Sequence, residues 1–174
     1  GQTSKPGDNA NMFSSMINQK ILDLEEIIQI KCLEIVAEVD KLIASTTKED
    51  LRSLIYFNKK KADFIAIYCE IANEEEFAIF VDECDKIFRY CFEESDKLKG
   101  NDYLYLNIAL SYSMFISDIL GNIGEAYNIA NKAYLRAKAE DQYNLSFDFK
   151  NIVDVLEKRL VIWKTDFIDF SSSV

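Results

Sequence analysis

The sequence contains no histidine in its 174 residues. This excludes catalytic triads and general bases built on imidazole, and the Glu-x-x-His pattern that holds paired iron ions in helical bundles. No glycine-rich loop of the kind that cradles phosphates or dinucleotides is present. A zinc site would need scattered cysteines and carboxylates, so we expect no metal and no cofactor. These absences indicate a protein that is not an enzyme.

Residues that break helices are also scarce, with one proline and five glycines. So few breakers favour long helices and few tight turns. Hydrophobic residues make up 49% and aromatic residues 13% of the chain, which is typical of an ordered core. We therefore predict an all-α fold with one domain of about six long helices.

Positive charge is in deficit, because the formal net charge is −10. A nucleic acid and an anionic membrane surface would both be repelled, so neither is an expected partner. The four cysteines form no C-x-x-C pair and lie in apolar helical contexts, which favours buried free thiols. Free thiols are typical of a cytoplasmic protein.

The order of polar and apolar segments predicts the domain limits. Residues 1–11 are polar and are interpreted as a disordered leader, residues 12–170 as the helical domain, and residues 171–174 as a flexible tail. Thr46 with Glu49 predicts a capping box for the second helix. Asn73 and Asp102 are predicted to cap the next two helices. Short connections predict that successive helices are antiparallel neighbours.

The stretch from Leu104 to Leu120 is predicted to be the central helix. It has no proline, glycine or basic residue, and Asp118 is its only charge. A helix that is apolar almost all round must pack on more than one side.

The last helix carries two apolar stripes. One has the spacing of a core-facing stripe and comprises Phe149, Val153, Leu156, Leu160, Trp163, Phe167 and Phe170. The other lies beside it and comprises Ile152, Val155, Arg159 and Ile162. If nothing covers the second stripe, it is a candidate binding groove; the alternative is that another helix covers it.

Several motifs resemble the 14-3-3 family. Residues 106–115, LNIALSYSMF, followed by Asp118-Ile-Leu, resemble that family's LGLALNFSVF followed by EIL. Residues 160–166, LVIWKTD, resemble its closing LTLWTSD. Lys59 through Asp63 is similar to its YLKMKGD segment, and the resemblance covers roughly residues 20–167.

The resemblance implies a fold and a function. Members of this family are antiparallel arrays of nine helices that bind phosphoserine or phosphothreonine segments in an amphipathic groove, without catalysis. They are adaptors in signal transduction and dimerise through their first three helices. These three have no counterpart in this sequence, so a homodimer or heterodimer is only an open expectation. Phosphorylated proteins are the implied partners.

The same resemblance implies which residues line the groove. Lys59 stands near the phosphate position, Ile152 and Val155 on the apolar wall, and Trp163 at the groove end. The other implied positions depart from the family: Met114 replaces a valine, Asp118 a glutamate, and Ser111 and Arg159 replace asparagines.

The most serious departure is at Ala66 and Ile67, which stand where the family has an Arg-Tyr pair that holds phosphate. A guanidinium binds phosphate through two parallel hydrogen bonds, which a lysine does not reproduce. We therefore expect weakened phosphate recognition. The alternative is a helical interaction scaffold that has lost phospho-specificity. Arg159 could supply a substitute charge, or could be a surface residue paired with Glu157 or Asp154.

Overall fold

The computed structural model describes residues 6–98, 102–139 and 146–171, and these ranges contain six helices and no strand. The all-α prediction is confirmed. The helices are α1 Pro6–Ser45, α2 Leu51–Ile71, α3 Glu74–Ser95, α4 Tyr103–Asp118, α5 Ile123–Lys138 and α6 Phe147–Ser171.

Each helix packs against the next one in the chain, and α4 also contacts α2 and α6. Because the connections are short, consecutive helices are antiparallel. Consequently α2, α4 and α6 run in one direction, and α3 contacts both α2 and α4 while α5 contacts both α4 and α6. The space on either side of α4 is therefore bounded by α2 and by α6.

The central position of α4 is confirmed by its burial. Nine of its sixteen side chains are buried, and those of Leu106, Ile108 and Ile116 have no exposed surface. One of its buried polar groups is paired across to α3, because the Tyr112 hydroxyl donates to Asp85 at 3.0 Å. Burial, together with the charge of Asp85, raises the pKa of Tyr112. The helix is thus packed on several sides without leaving that hydroxyl unpaired.

The α5 helix approaches its neighbours through small side chains. Four alanines at helical spacing have no exposed surface: Ala126, Ala130, Ala133 and Ala137. Their small side chains let α5 pack closely against α4 and α6, which it contacts.

Two predicted caps are confirmed. Asn73 accepts from the Glu76 amide at 3.0 Å and Glu76 accepts from the Asn73 amide at 3.3 Å, forming a capping box on α3. The Asp102 carboxylate accepts from the Leu104 amide at 2.8 Å and caps α4. Both satisfy amides that have no partner within the helix.

The capping box predicted at Thr46 and Glu49 is wrong. The Thr46 hydroxyl donates instead to the Leu42 carbonyl at 2.7 Å, which satisfies the C-terminal end of α1. The cap of α2 is Asp50, which accepts from the Ser53 amide at 3.1 Å. A hydroxyl near a helix end can bond back to the preceding turn, and this option competes with capping the next helix.

The first helix begins earlier than the sequence predicts. Residues 6–11, interpreted as part of a disordered leader, are helical, because proline is compatible with a first turn whose amides lack partners in any case. Residues 1–5 lie outside the described residues, and so do residues 172–174 of the predicted tail.

Much of α1 presents apolar side chains to solvent. Every side chain described from residue 9 to residue 24 is exposed, including the large apolar Phe13, Ile21 and Leu24. Further along, Cys32 and Val39 are buried, where α1 packs on α2. Despite this apolar surface, neither α1 nor any other described helix is long and apolar enough to cross a membrane.

All four cysteines are free and buried, as predicted. The thiols of Cys84 and Cys91 donate to the carbonyls of Ala62 and Ile55. Burial raises the pKa of Cys69 to about 11 and that of Cys91 to about 12. These thiols are therefore both inaccessible and protonated at neutral pH.

We expect the native protein to resist thiol labelling. At pH 8 with iodoacetamide, Cys69, Cys84 and Cys91 should react far more slowly than in unfolded protein, because the thiolate is the nucleophile. Mass spectrometry of the labelled peptides checks this, with guanidinium-unfolded protein, in which four sites react, as the control. Rapid labelling of Cys84 in the folded chain would contradict the packing of α3 on α2.

Candidate functional site

A hollow of about 430 Å³ lies between α2 and α4. We call it the α2/α4 cleft. Its lining is Lys59, Lys60, Asp63, Phe64, Ala66, Ile67 and Glu70 from α2, Phe88 from α3, and Ser111, Met114, Phe115, Asp118 and Ile119 from α4 and the residue after it. Apolar side chains thus alternate with charged ones, so the cleft is amphipathic.

A nearly buried ion pair lies in this cleft. The Lys59 ammonium is 2.6 Å from the Asp63 carboxylate one helical turn further along, and the two side chains are 7% and 23% exposed. Burial raises the pKa of Asp63, while Lys59, Lys60 and a hydrogen bond from Ser111 oppose the increase. The cation predicted to lie near a phosphate is therefore at the cleft, but its charge is already matched by Asp63.

A second, smaller hollow of about 260 Å³ lies between α4 and α6. We call it the α4/α6 hollow. It is lined by Tyr103, Asn107, Leu110, Asp148, Asn151, Ile152 and Val155. Residues three or four apart on one face of α4 line the two hollows. Tyr103, Asn107 and Leu110 line the α4/α6 hollow, and Ser111, Met114 and Asp118 line the α2/α4 cleft. The two hollows are therefore parts of one surface that follows α4.

The second stripe of α6 is only partly open. Val155 and Ile162 are 41% and 49% exposed, so no described part of the chain covers them. Ile152 is 5% exposed, although it contributes to the wall of the α4/α6 hollow. The stripe therefore enters the core at Ile152 and reaches solvent at the other two residues.

Two predicted groove residues lie elsewhere. Trp163 is 3% exposed and belongs to the hydrophobic core, so it lines neither hollow. Arg159 is partly exposed and also lines neither hollow. Within the described ranges no carboxylate forms an ion pair with Arg159, and Glu157 accepts instead from the Tyr134 hydroxyl at 2.7 Å.

The structure thus brings four predicted residues together at the α2/α4 cleft, Lys59, Ser111, Met114 and Asp118, and two at the α4/α6 hollow, Ile152 and Val155. Sequence reasoning gave no role to Lys60, Glu70 or Asn107. The signal for Asn107 was available, because it lies four residues before Ser111 on the same face of α4.

No constellation for catalysis by a metal ion is found in the described part of the chain. There, no group of three or more cysteine and carboxylate side chains is arranged to hold an ion. The side chains that line the site are apolar residues, a few charged ones and a few polar ones.

Comparison with known proteins identifies the fold. A family model described as 14-3-3 protein matches residues 2–164. This chain belongs to the 14-3-3 family. Among its relatives, the 14-3-3 protein zeta of Bombyx mori is 27% identical over 143 residues, which are 78% of this chain and 56% of that protein.

Two further relatives have similar identity. A 14-3-3 protein of Eimeria tenella is 27% identical over 78% of this chain and 50% of its own length. The 14-3-3 protein beta/alpha-1 of Oncorhynchus mykiss is 26% identical over 82% of this chain and 60% of its own length. The chain thus spans between half and three fifths of the length of these relatives.

The Lys59–Asp63 pair predicts a pH-dependent stability defect. Lys59→Met leaves Asp63 buried without its cation, which should lower the free energy of unfolding at pH 7 by about 2 kcal/mol, below the ~3 kcal/mol or more of a fully buried pair. The substitution raises the folded-state pKa of Asp63 further. Below the pKa that Asp63 has in the unfolded chain, its carboxyl is protonated in both the folded and the unfolded state, so the defect is small there. The defect grows as pH rises through the folded-state pKa of Asp63 in the natural chain.

Urea unfolding at several pH values between 4 and 8 measures this defect. Lys60→Met is the comparison variant, because Lys60 acts on Asp63 through its charge alone and its ammonium lies near the Tyr56 ring; its pH-dependent defect should be smaller. A defect in Lys59→Met that is constant across this pH range would contradict the coupling to Asp63.

Proposed function

We propose that this protein is a non-catalytic 14-3-3-type adaptor whose α4 surface binds phosphorylated segments of partner proteins. The observation that carries the proposal is the α2/α4 cleft, in which apolar side chains and Lys59 of α2 lie beside an open face of α4. A segment lying along this face would bury apolar side chains against Met114 and Ile119 while an anionic group approaches the lysine. Membership of the 14-3-3 family supports this role.

We further propose that phosphate recognition is weak. Ala66 and Ile67 line the cleft and offer no hydrogen-bond donor from their side chains. The charges lining the cleft are two lysines against Asp63, Glu70 and Asp118. With Lys59 already paired to Asp63, little positive potential is left for a doubly charged phosphate.

A helical scaffold without phospho-specificity is the second candidate. The exposed Val155 and Ile162 and the apolar lining of both hollows favour it, because these surfaces could hold an amphipathic helix through apolar burial alone. A phosphoserine peptide and its unphosphorylated twin would then bind equally.

Membership of the 14-3-3 family and the buried, protonated thiols support a cytoplasmic location.

We also propose that α1 associates with a second copy of this chain. Its exposed Phe13, Ile21 and Leu24 form an apolar surface of the kind that proteins normally cover.

Restoring the donor pair tests phosphate recognition. We expect Ala66→Arg with Ile67→Tyr to tighten binding of a labelled phosphoserine peptide about tenfold or more, because charge-assisted hydrogen bonds contribute ~1.5–3 kcal/mol. Affinity for the unphosphorylated twin should stay the same. Fluorescence anisotropy measures both.

Ala66→Gln with Ile67→Tyr is the control, because glutamine adds comparable bulk without charge. Equal tightening of both peptides would indicate a gain in apolar contact and would count against a phosphate position beside residue 66. If neither the natural chain nor the restored variant binds the phosphopeptide, the adaptor proposal fails.

Self-association through α1 has its own test. Ile21→Glu with Leu24→Glu should lower the mean molecular mass in sedimentation velocity towards that of a monomer, because both side chains are already exposed within one chain. Asn11→Glu with Asn18→Glu adds the same charge at exposed polar positions and should not change the mass. A natural chain that is monomeric at every concentration would refute this part of the proposal.

A further inference from the structure

Asp63 stands where an anion from a ligand would have to go. Lys59 is the more deeply placed of the two lysines that line the α2/α4 cleft, with only 7% of its side chain exposed. The other, Lys60, has its ammonium 5.6 Å from the centre of the Tyr56 ring. A ligand anion that reaches Lys59 therefore approaches the Asp63 carboxylate, which already lies 2.6 Å from the same ammonium.

Two anions cannot share one buried ammonium without strong repulsion, because their charges are poorly screened away from water. The repulsion is removed if the carboxylate takes up a proton. A neutral carboxyl releases the ammonium and can donate its new hydrogen to the incoming anion. The cleft therefore has two charge states. With Asp63 ionised, Lys59 is paired to it, and with Asp63 protonated, Lys59 can pair with an external anion.

The surroundings of Asp63 favour such an exchange. From α2 it faces Lys59 and Lys60, from α4 it faces Ser111, and from α3 the thiols of Cys84 and Cys91 feel its charge. Burial raises the pKa of Asp63, and the two lysines and Ser111 only oppose that effect. The thiols stay protonated near neutral pH, since burial raises the pKa of both.

We propose that the Asp63 carboxylate disfavours the binding of anionic ligands in this cleft. When an anion binds to Lys59, Asp63 takes up one proton. The proton comes from solvent and is held on the Asp63 carboxylate, while Lys59 keeps its three protons and exchanges the carboxylate for the ligand's anion. The proposal rests on the proposed function, because it requires the ligand's anion to enter at Lys59.

A peptide with a serine sulfate ester is the suitable probe, since a sulfate ester keeps one negative charge throughout the range from pH 4.5 to 8 whereas a phosphate titrates. We expect affinity, measured by fluorescence anisotropy, to rise as pH falls, approaching tenfold per pH unit above the pKa of Asp63. Calorimetry in two buffers with different ionisation enthalpies should show proton uptake on binding. Affinity that does not change with pH would overturn the proposal.

Asp63→Asn keeps the shape of the side chain and removes the charge. We expect it to bind the sulfated peptide more tightly at pH 7 and to lose the pH dependence. Glu70 and Asp118 also line the cleft, so a pH dependence that persists in Asp63→Asn would assign the proton to one of them and overturn the proposal.

Ser111→Ala is a second variant that leaves the ion pair in place. Because the Ser111 hydrogen bond lowers the pKa of Asp63, its loss should move the whole pH–affinity curve to higher pH. A curve that does not move would contradict the assignment to Asp63. This readout distinguishes proton coupling from a structural role, which would change affinity equally at every pH.

The two proposals fail in different ways. If no variant binds the sulfated or the phosphorylated peptide at any pH, the proposed function fails and the inference fails with it. If the phosphorylated peptide binds better than its unphosphorylated twin, but neither pH nor Asp63→Asn changes affinity for the sulfated peptide, the inference alone is overturned.

Discussion

The burial of α4 is the constraint on which the rest of the structure depends. Because this helix is apolar on most of its circumference, it is stable only with neighbours on several sides, and contacts with α2, α3, α5 and α6 supply them. The helices α2 and α6 both contact α4, and each leaves a hollow beside it. The packing that buries one side of α4 therefore leaves its other side as the floor of a groove.

The charges of the groove follow from helix geometry. Residues one turn apart on α2 lie above one another, so Lys59 and Asp63 meet, and Ala66 leaves room in the next turn. An ion pair placed at a cleft that is only partly open to water is neither a strong anion site nor a neutral surface. Both charged groups are poorly solvated, and any ligand that approaches one of them also interacts with the charge of the other.

Local features could be predicted from the sequence, and features set by contact between distant helices could not. Asn73 and Asp102 were identifiable because a cap depends on residues two or three positions away. Thr46 had two local partners open to it, and the sequence alone does not decide between them. Whether Ile152 is buried and Val155 exposed depends on where α6 crosses α4, which no local pattern records. The apolar residues of α1 show the same limit, since periodicity marks a face that needs a partner but does not supply one.

The motif that identifies the family is mostly a motif of packing. Within residues 106–115, the positions that agree with the family pattern include Leu106, Ala109 and Phe115, and all three are buried. Five positions depart from it. Ile108 and Tyr112 are buried and keep a large apolar or aromatic side chain, whereas Asn107, Ser111 and Met114 line the two hollows, and Asp118 beyond the motif lines the cleft. Membership therefore establishes how the helices pack, because buried side chains are constrained by their neighbours. The cleft is free to differ while the fold stays the same, so the ligand chemistry of this chain has to be argued from its own cleft residues.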